Sequence, residues 1–563
     1  MNDVPAYLAK PHAVAGRTYG TLYRDEEHWC IAGEPQVIQL AKRLFPGSDG
    51  RRGVAKFHAS KRVIGELNWL MLRYPLEVDD PEAWERTRAE SINHALKSLE
   101  IASRPQRIKP PTASFAGELH VFQEEGLASL LHHRRILLAD EMGLGKTPQF
   151  LAFLSATGTY PALVVVQPHL LKQWCREIAK FLPGVKYHML TGLTPYPLPA
   201  CHIHLVHYGL LRGWKNALPG LHETVCFDEV QELRHSGTQK YSAASLIAGS
   251  AKNAIGLSGT PIHNEGGEIW NVLNILEMHC LGGWDSFTRE WCAGYGVKTV
   301  TDPEMLGSRL REEGLMLRRT KIDVLPELPP KRRVIEEIDA DEGEFGKLVA
   351  PAVELARKFG KIADALEKGR ALREIVRSVR QATGIAKAPY VATFVQALLE
   401  AGETCLLFAH HHKVVEILED MLAGWKPGLV TGRQSRDEKD NSVQRFQSGE
   451  TPLCIISLRA CSGLNMHAAK CVIFAELDWS PAVHTQAEDR AHRMGQEHDS
   501  VLAYYLVWHG SESSDPDVLD RLGFKASQFK GLMGDPEETE ADKVLAMESA
   551  KEHMMRIVER LQN

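Results

Sequence analysis

The stretch ILLADEMGLGKTPQF, residues 136–150, has the most specific pattern in this chain. An apolar run of strand length leads into a turn with Gly143 and Gly145, and Lys146 and Thr147 then begin a segment compatible with a helix. At such a turn, backbone N–H groups and the helix N-terminus surround phosphates. The lysine adds positive charge at the β- and γ-phosphates, and the threonine hydroxyl binds Mg²⁺. The stretch therefore predicts a loop that binds the phosphates of a nucleotide.

A second stretch decides between a nucleotide site and a plain strand-to-helix turn. The strict pattern G-x-x-x-x-G-K-[ST] fails at Asp140, which stands where the first glycine should be. However, VCFDEVQELRH (225–235) ends an apolar run in Asp228 and Glu229. Nucleotide hydrolysis needs one carboxylate at a strand end for Mg²⁺ and another that polarises the attacking water. Downstream of a phosphate-binding loop, this pair favours hydrolysis over a solvated acidic turn.

Two arginines later in the chain complete this chemistry. The stretch HTQAEDRAHRMGQ (484–496) places Arg490 and Arg493 three residues apart, hence on one face of a helix. In isolation the pair would be a solvated helix face. Nucleotide hydrolysis is often completed by an arginine that neutralises charge on the γ-phosphate. Because the pair ends a second α/β segment, we expect it to reach the nucleotide from a second lobe.

Apolar runs of strand length alternate with amphipathic segments in two separate series. The first follows a Pro-rich, basic connector at 104–115, and the second occupies residues 404–508. This alternation predicts βαβ units, so we expect an α/β protein with two parallel sheets. Residues 348–384, between the two series, predict a helical insertion. Its apolar side chains at helical spacing are Leu355, Phe359, Ile362, Leu366 and Leu372.

The chain should therefore contain five regions. They are a small N-terminal accessory domain that binds nucleic acid or substrate (1–111), a first, ATP-binding lobe (112–325), an inter-lobe crossing with the helical insertion (326–400), a second lobe (401–525) and an acidic, helical tail (526–563). In the first region, RRGVAKFHASKR (51–62) is a basic cluster that contains Phe57. A nucleic-acid contact and a solvated loop are equally good interpretations of this cluster.

Composition excludes several classes of protein. The 563 residues are 44% hydrophobic and 25% charged, and no apolar run reaches the roughly 18 residues that span a bilayer. The first residues lack the pattern of a secretion signal. Ten cysteines without a C-x-x-C pair indicate buried free thiols and a reducing compartment. A net charge of −6 means that any nucleic-acid binding must come from local basic surfaces.

The series of motifs between about residues 115 and 525 resembles the Swi/Snf-type ATPases of helicase superfamily two. It consists of LHVFQEEGL, ADEMGLGKT, VVVQPHLLKQWCREIAKF, the Asp-Glu box, LSGTPIHN, LMLRRTKIDVLPELPPK, LLFAHHHKVVEIL, the long stretch from ISLRACSGLNM to AHRMGQ, and LVWHGSES. In this family the missing loop glycine is a common trait. The segment 331–400 is similar to the compact branch that contains annealing helicases and their viral and bacterial relatives. The resemblance implies two RecA-like lobes.

The resemblance also implies roles for individual residues. Gln123 would read adenine, and Gly463 would join the loop residues in binding the nucleotide. The residues implied to couple hydrolysis to movement are Gln231, Ser258, Thr260 and Gln486, and the candidates for DNA contact are Gln167, Lys172, His410, Ser457 and Arg459. The family usually has histidine where this chain has Gln231. Glutamine donates and accepts hydrogen bonds without titrating, so hydrolysis should survive the change.

These observations predict an ATP-driven translocase on double-stranded DNA, with ATP and Mg²⁺ as cofactors and double-stranded or branched DNA as partner. We expect a monomer that does not bind membranes, is not secreted, and binds a protein partner through its N-terminal domain. Its location would be the cytoplasm of a bacterium or virus-infected cell, or a eukaryotic nucleus. Three alternatives stay open: a strand-separating DNA or RNA helicase, a nucleotide-gated DNA-binding scaffold, and the motor subunit of a larger defence or repair complex.

Overall fold

A computed structural model of the protein describes residues 17–25, 28–45, 53–58, 61–103, 106–262, 265–294, 296–325, 327–328, 331–360, 362, 364–460, 464, 466–492, 496, 498, 500–510 and 513–518. Of the predicted features, Arg493, Gly463 and the tail 526–563 lie outside these residues. The chain divides into two compact units. Met1–Asp140 and Gly145–Arg319 make up most of the first, and Thr320–Lys530 makes up most of the second.

The first unit begins with a small four-stranded sheet in the order β3-β2-β1-β4. Its elements are β1 (Gly20–Asp25), β2 (His28–Gly33), α1 (Pro35–Leu44), β3 (Val54–His58), α2 (Lys61–Arg73), β4 (Glu77–Val78) and α3 (Pro81–Ser103). Strands β1, β2 and β3 pair antiparallel, and β4 joins β1 in parallel. Phe57 of β3 is fully buried against Phe45 in the core of this sheet. A role for Phe57 in contacting nucleic acid is therefore wrong, because its ring has no exposed surface.

The rest of the first unit is built on a seven-stranded, entirely parallel sheet in the order β11-β5-β10-β9-β6-β8-β7. Its elements are α4 (Val121–His133), β5 (Arg135–Leu138), α5 (Lys146–Thr157), β6 (Ala162–Val166), α6 (Leu171–Phe181), β7 (Tyr187–Met189), β8 (Ile203–His207), α7 (Leu211–Trp214), β9 (Thr224–Asp228), α8 (Gln239–Ser250), β10 (Asn253–Leu257), α9 (Glu268–Leu276), α10 (Trp284–Trp291), α11 (Pro303–Glu312) and β11 (Met316–Leu317). The adjacent strands β5, β10 and β9 end at one edge of the sheet, and this edge positions the candidate site.

The second unit contains a six-stranded parallel sheet in the order β12-β17-β16-β13-β15-β14. Its elements are α12 (Lys321–Val324), β12 (Lys331–Glu337), α13 (Glu342–Phe359), α14 (Ala365–Glu400), β13 (Cys405–Ala409), α15 (His412–Met421), β14 (Gly428–Val430), α16 (Arg436–Gln447), β15 (Leu453–Ser457), β16 (Cys471–Phe474), α17 (Pro481–Glu488) and β17 (Val501–Val507). The expected α/β class, with two parallel sheets, a helical insertion and a small N-terminal sheet, is confirmed.

Two details differ from the sequence expectation. Strand β12 lies in the segment that was expected to be the crossing between lobes. It was not predicted as a strand because its residues, KRRVIEE, form no apolar run. The insertion is two helices, and Leu366 is 75% exposed at the start of the second one, whereas Phe359 is buried at the end of the first. The helical spacing of apolar residues in the sequence therefore extends across the break between α13 and α14. The exact domain boundaries stay a prediction.

Two expectations from composition can be compared with the described residues. All nine cysteines among them are free thiols, and seven of these are buried. The structure also contains, within its described part, no helix that is both long and apolar enough to cross a membrane.

Candidate nucleotide-binding site

The predicted phosphate-binding loop joins β5 to α5 through two glycines in left-handed conformations. Gly143 has φ of 89° and Gly145 has φ of 69°, a region that side chains with a Cβ seldom adopt. Gly145 directly precedes the first residue of α5, Lys146, and its space is also restricted. A Cβ at Gly145 would overlap the amide nitrogen of Gln123. Glycine is therefore required at this position by both conformation and packing.

Gln123 is placed beside this loop by the first turn of α4. The backbone N–H of His120 donates to Gln123 Oε1 at 2.9 Å, so the side chain takes part in the helix capping box. Gln123 is buried, and its amide nitrogen faces Gly145. The residue predicted to read the base thus lies against the glycine that directly precedes α5.

The residue in place of the first loop glycine is a buried carboxylate with a specific partner. Arg319 donates from Nε to Asp140 Oδ1 at 2.9 Å and from Nη2 to Asp140 Oδ2. Gln149 Nε2 donates to Asp140 Oδ2 at 3.1 Å and to the Gly145 carbonyl oxygen at 3.3 Å. Because Asp140 has no exposed surface, this two-point ion pair fixes the start of the loop. The aspartate is a structural element of the loop in this chain.

Sequence reasoning missed the two arginines after β11. Arg318 Nη1 donates to the carbonyl oxygens of Ala139 at 2.6 Å and Gly259 at 3.1 Å, and Arg319 pairs with Asp140. Arg318 therefore connects the end of β5 with the loop after β10. The available signal was the RR pair in LMLRRTKIDVLPELPPK, which was interpreted only as a crossing between lobes.

Lys146 lies at the start of α5 with its ammonium group turned back over the loop. Its Nζ donates to the carbonyl oxygen of Asp140 at 2.8 Å. Burial lowers the pKa of Lys146, while the negative charges of Glu229, Asp140 and Asp228 oppose that change and Arg318 adds to it. Three carboxylates thus act on this one ammonium group, so the predicted cation and the predicted acidic pair share one site. Thr147 is the next residue of α5 and is partly exposed.

Asp228 ends β9 and is held by neutral donors. Trp174 of α6 donates its indole N–H to Asp228 Oδ2 at 2.7 Å, and the backbone N–H of Glu229 donates to Oδ1 at 3.1 Å. Burial, and then the charge of Glu229, raise the pKa of Asp228 to about 7. A half-neutralised carboxylate at a strand end is suited to gain a divalent cation, because the cation would remove the cost of ionising it.

Glu229 follows with φ of 51°, a left-handed conformation that is uncommon for a residue other than glycine. Such conformations concentrate at functional sites, where surrounding contacts hold them. One of these contacts is Gln231, whose Nε2 donates to Glu229 Oε2 at 2.6 Å. The backbone turn therefore directs the Asp228 and Glu229 side chains to different partners, as two different roles would require.

The predicted coupling residues of the first unit form one hydrogen-bonded chain. From Gln231, which holds Glu229, the chain continues to Ser258, whose Oγ donates to Gln231 Oε1 at 2.7 Å. The backbone N–H of Thr260 then donates to Ser258 Oγ at 3.0 Å. Gln231, Ser258 and Thr260 are all buried. A change at the Glu229 carboxylate can thus be transmitted to the loop after β10 through three hydrogen bonds.

In the second unit, Arg490 is buried and bound to its own surroundings. Its Nε donates to the carbonyl oxygen of Gln486 at 3.0 Å, and its Nη1 donates to that of Leu464 at 3.0 Å. Gln486 lies one turn earlier on α17 and is also buried. The structure thus brings Gln486 and Arg490 together, while their predicted companions Arg493 and Gly463 fall outside the described residues.

The DNA-contact candidates differ in what their side chains offer. Lys172 and Arg459 are exposed cations, which suits contacts to phosphates. Ser457 is buried at the end of β15. Gln167 is partly exposed and donates to Glu232 Oε1 at 3.2 Å. His410 lies 3.5 Å from an Arg459 nitrogen, and burial, with Arg380 and His411, lowers the pKa of His410 to about 4. His410 is therefore neutral near pH 7.

Comparisons with known proteins agree with this geometry. The model of the SNF2-related domain matches residues 66–381, and that of the helicase conserved C-terminal domain matches residues 389–495. The first of these matches alone spans more than half of the chain. It contains the phosphate-binding loop, the acidic pair and the hydrogen-bonded chain, whereas the second contains Arg490.

Individual relatives match this chain over part of their own length. The "SWI/SNF-related matrix-associated actin-dependent regulator of chromatin subfamily A-like protein 1" of Drosophila melanogaster is 28% identical over 438 residues, which are 74% of this chain and 57% of that protein. The "DNA annealing helicase and endonuclease ZRANB3" of Mus musculus is 30% identical over 429 residues, 70% of this chain and 39% of that protein. The aligned part of the chain thus spans 57% of the first relative's length and 39% of the second's.

Among solved structures, the "Sulfolobus solfataricus SWI2/SNF2 ATPase core in complex with dsDNA" matches 80% of this chain and 99% of that chain. The sequence identity is 22% and the TM-score is 0.38.

Proposed function

Because this chain belongs to the SNF2-related family, we propose that it hydrolyses ATP to move along double-stranded DNA. The observation that carries the proposal is the first-unit site itself, in which Lys146, Asp228 and Glu229 act on one another beside a helix N-terminus. In this assignment Lys146 binds the β- and γ-phosphates, and Thr147 and Asp228 hold Mg²⁺. Glu229 polarises the attacking water, and Gln123 recognises the base.

The chemistry of the site supports Mg²⁺ as the cofactor. Oxygen atoms of hydroxyl and carboxylate groups are its preferred ligands, and phosphates complete its coordination in nucleotide sites. Burial and the charge of Glu229 raise the pKa of Asp228 more than the charge of Lys146 lowers it. Asp228 and Thr147 would hold Mg²⁺, which would supply positive charge at that point, while Lys146 would supply it at the phosphates.

Coupling to movement is assigned to the chain from Glu229 to Thr260. When Glu229 changes its partner on hydrolysis, the hydrogen bond to Gln231 must change too, and Ser258 and Thr260 follow it. Glutamine at position 231 makes both bonds with one amide, accepting from Ser258 and donating to Glu229. This supports the expectation that the family's usual histidine is dispensable here for hydrolysis.

We assign DNA binding to exposed cations on both units, with Lys172 and Arg459 as the first candidates. Such contacts reach phosphates and carry no sequence information, so binding should weaken strongly with salt and depend little on base sequence. Arg490 and Arg493 are assigned to the γ-phosphate of ATP. A regulator of chromatin and a DNA annealing helicase among the relatives are consistent with a duplex substrate.

The test is steady-state ATP hydrolysis by the wild type, Glu229→Gln and Glu223→Gln. Each is measured without nucleic acid and with duplex DNA, single-stranded DNA, forked DNA or duplex RNA, at two salt concentrations. We expect duplex DNA to stimulate the wild type strongly. Glu229→Gln should lose roughly 10²–10⁴-fold in turnover while still binding ATP.

Glu223→Gln is the matched control, because Glu223 pairs at the surface with Lys252 at 3.1 Å. Its turnover should equal that of the wild type. Stimulation by RNA or by single strands alone would indicate a strand-separating helicase instead. If ATP binds but no nucleic acid stimulates hydrolysis, the translocase proposal fails and a nucleotide-gated scaffold takes its place.

A further inference from the structure

Three histidines outside the nucleotide-binding site converge where α3 meets the end of α4. His94 lies on α3, and His132 and His133 are the last two residues of α4. One ring nitrogen from each lies within 4.8 Å of those of the other two. The ring centroids of His94 and His132 are 4.5 Å apart, and those of His132 and His133 are 4.7 Å apart. Three imidazoles thus share one small volume between two helices.

Neighbouring groups determine the tautomer of His132. Its Nε2 lies 3.1 Å from Ser98 Oγ and 3.3 Å from the carbonyl oxygen of His94. Ser98 Oγ donates its own proton to that same carbonyl oxygen at 2.9 Å, so towards His132 it can only accept. Both partners of Nε2 are therefore acceptors, and Nε2 must carry the proton. The lone pair of His132 is consequently on Nδ1.

This arrangement is the one that metal-binding histidines usually show. A ligating imidazole donates its second ring N–H to a carbonyl, carboxylate or water, and that contact fixes its orientation. Ser98 and the His94 carbonyl provide such contacts for His132. Ser98 is buried, so its contact is protected from competing water. The supporting contacts of a metal site are thus already formed at His132.

The three rings differ in their exposure to solvent. His133 is buried, and its ring packs on Gly314, where a Cβ would overlap it. Gly314 has φ of 69°, so glycine is favoured there by conformation as well. His94 and His132 are partly exposed. An ion can therefore approach from their side while His133 closes the other.

We propose that His94, His132 and His133 bind a divalent transition-metal ion of the zinc class. Imidazole nitrogens suit Zn²⁺, Ni²⁺, Co²⁺ and Cu²⁺, whereas Mg²⁺ and Ca²⁺ require oxygen ligands. At Zn–N distances of about 2.0–2.1 Å, tetrahedral ligands are about 3.4 Å apart. The three nitrogens, which lie within 4.8 Å of one another, would move closer together to reach this separation. Water takes the fourth position.

The bound ion would join the N-terminal region to the nucleotide-binding part of the first unit. His94 belongs to the long helix that follows the four-stranded sheet, and the helix of His132 and His133 begins with the turn that holds Gln123. A ligand that binds only the folded state stabilises it in proportion to the logarithm of its concentration over Kd. The ion should therefore raise the melting temperature of the full chain.

The test uses full-length protein treated with chelator, without nucleotide, and Zn²⁺ or Co²⁺ as the probe. Calorimetric titration should give one high-affinity ion per chain for the wild type and for His202→Gln. His202 is a matched control, because it is an exposed histidine of the same unit that contacts the backbone N–H of Lys186. His94→Gln and His132→Gln should weaken binding by at least about 100-fold, because each removes a ligand.

Ser98→Ala separates a metal site from a simple histidine cluster. It keeps all three ligands but removes a contact that orients one of them, so affinity should fall about 10–100-fold. Melting curves of the metal-free variants check that each one folds, and Co²⁺ absorption reports whether the ion has tetrahedral ligands. The proposal is overturned if all variants bind the ion like the wild type, or if only His202→Gln loses it, which would place the ion near β8 instead.

Discussion

Asp228–Glu229 at the end of β9 and Glu488–Asp489 at the end of α17 are two pairs of adjacent acids, yet their surroundings are opposite. Asp228 accepts from an indole N–H and a backbone N–H, and its pKa is raised to about 7. Burial alone would also raise the pKa of Glu488, but nearby cations hold it well below its usual range. The same residue types therefore carry different amounts of uncompensated charge.

The difference lies in the number of cations that reach each carboxylate. Glu488 contacts Arg333 at 2.7 Å and Lys331 at 2.9 Å, and the hydroxyl of Tyr505 donates to it at 2.8 Å. Asp489 contacts Lys321 at 2.9 Å. Because these cations compensate the charge of the second pair, the pair holds α17 on β12 and β17. The first pair is left in need of positive charge, as a site for Mg²⁺ and nucleotide should be.

The largest expected effect is the loss of ATP turnover when Lys146, the cation beside Asp228 and Glu229, is removed. Lys146→Ala should lower ATP turnover by roughly 10³–10⁵-fold, the range for loss of a cation that neutralises γ-phosphate charge. Steady-state hydrolysis with saturating duplex DNA measures this loss. Lys252→Ala is the control, because Lys252 is an exposed lysine of the same unit, and its turnover should stay unchanged. Normal turnover in Lys146→Ala would show that the loop is not a phosphate site.

Breaking the second pair should reduce stability. Glu488→Gln leaves Lys331 and Arg333 without their buried partner, a change that costs about 3–5 kcal/mol. We expect a lower melting temperature and faster hydrogen exchange of the β12 and β17 amides. Glu354→Gln is the matched control, because Glu354 forms an exposed ion pair with Lys358 on α13, and it should leave both measurements unchanged. Equal stability of the two variants would mean that the Glu488 network is not structural.

The smallest effect is a pH dependence that has opposite signs at the two pairs. Asp228 has a folded-state pKa of about 7, above its ordinary value of 3.8, so between these values the folded protein holds a proton that the unfolded chain releases. Ligand-free wild type should therefore lose stability relative to Asp228→Asn as pH rises through about 7. The contribution of Glu488, whose pKa is lowered, is instead lost as pH falls below its unfolded value of about 4.5.

Denaturant titrations of the wild type and Asp228→Asn from about pH 5 to about pH 8 measure the first of these trends. Mg²⁺ with a non-hydrolysable ATP analogue should stabilise only the wild type at the upper end of this range, because only an ionised Asp228 binds the ion. If the difference in free energy of unfolding between the wild type and Asp228→Asn did not change with pH, the assignment of an uncompensated carboxylate at Asp228 would be wrong.

Much of the fold and of the first-unit site was predictable because the signals are local. Continuous apolar runs are typical of strands buried on both faces, and they identified five strands in each lobe. Local residue patterns also predicted the loop and the acidic pair, and the family resemblance predicted the coupling residues. Strand β12 was missed because charged residues flank its only two apolar residues, Val334 and Ile335, and Phe57 was misplaced because its basic neighbours concealed a core position.

The local sequence specifies which residue types lie at the strand ends, and with them the proposed chemistry of phosphate and Mg²⁺ binding. How those residues are held depends on contacts between distant parts of the chain. The partner of Asp140 is Arg319, 179 residues away, and the partner of Gln231 is Ser258, 27 residues away. Charge compensation depends on such distant contacts, so of two similar acidic pairs one is the proposed reactive site and the other forms an ion-pair network.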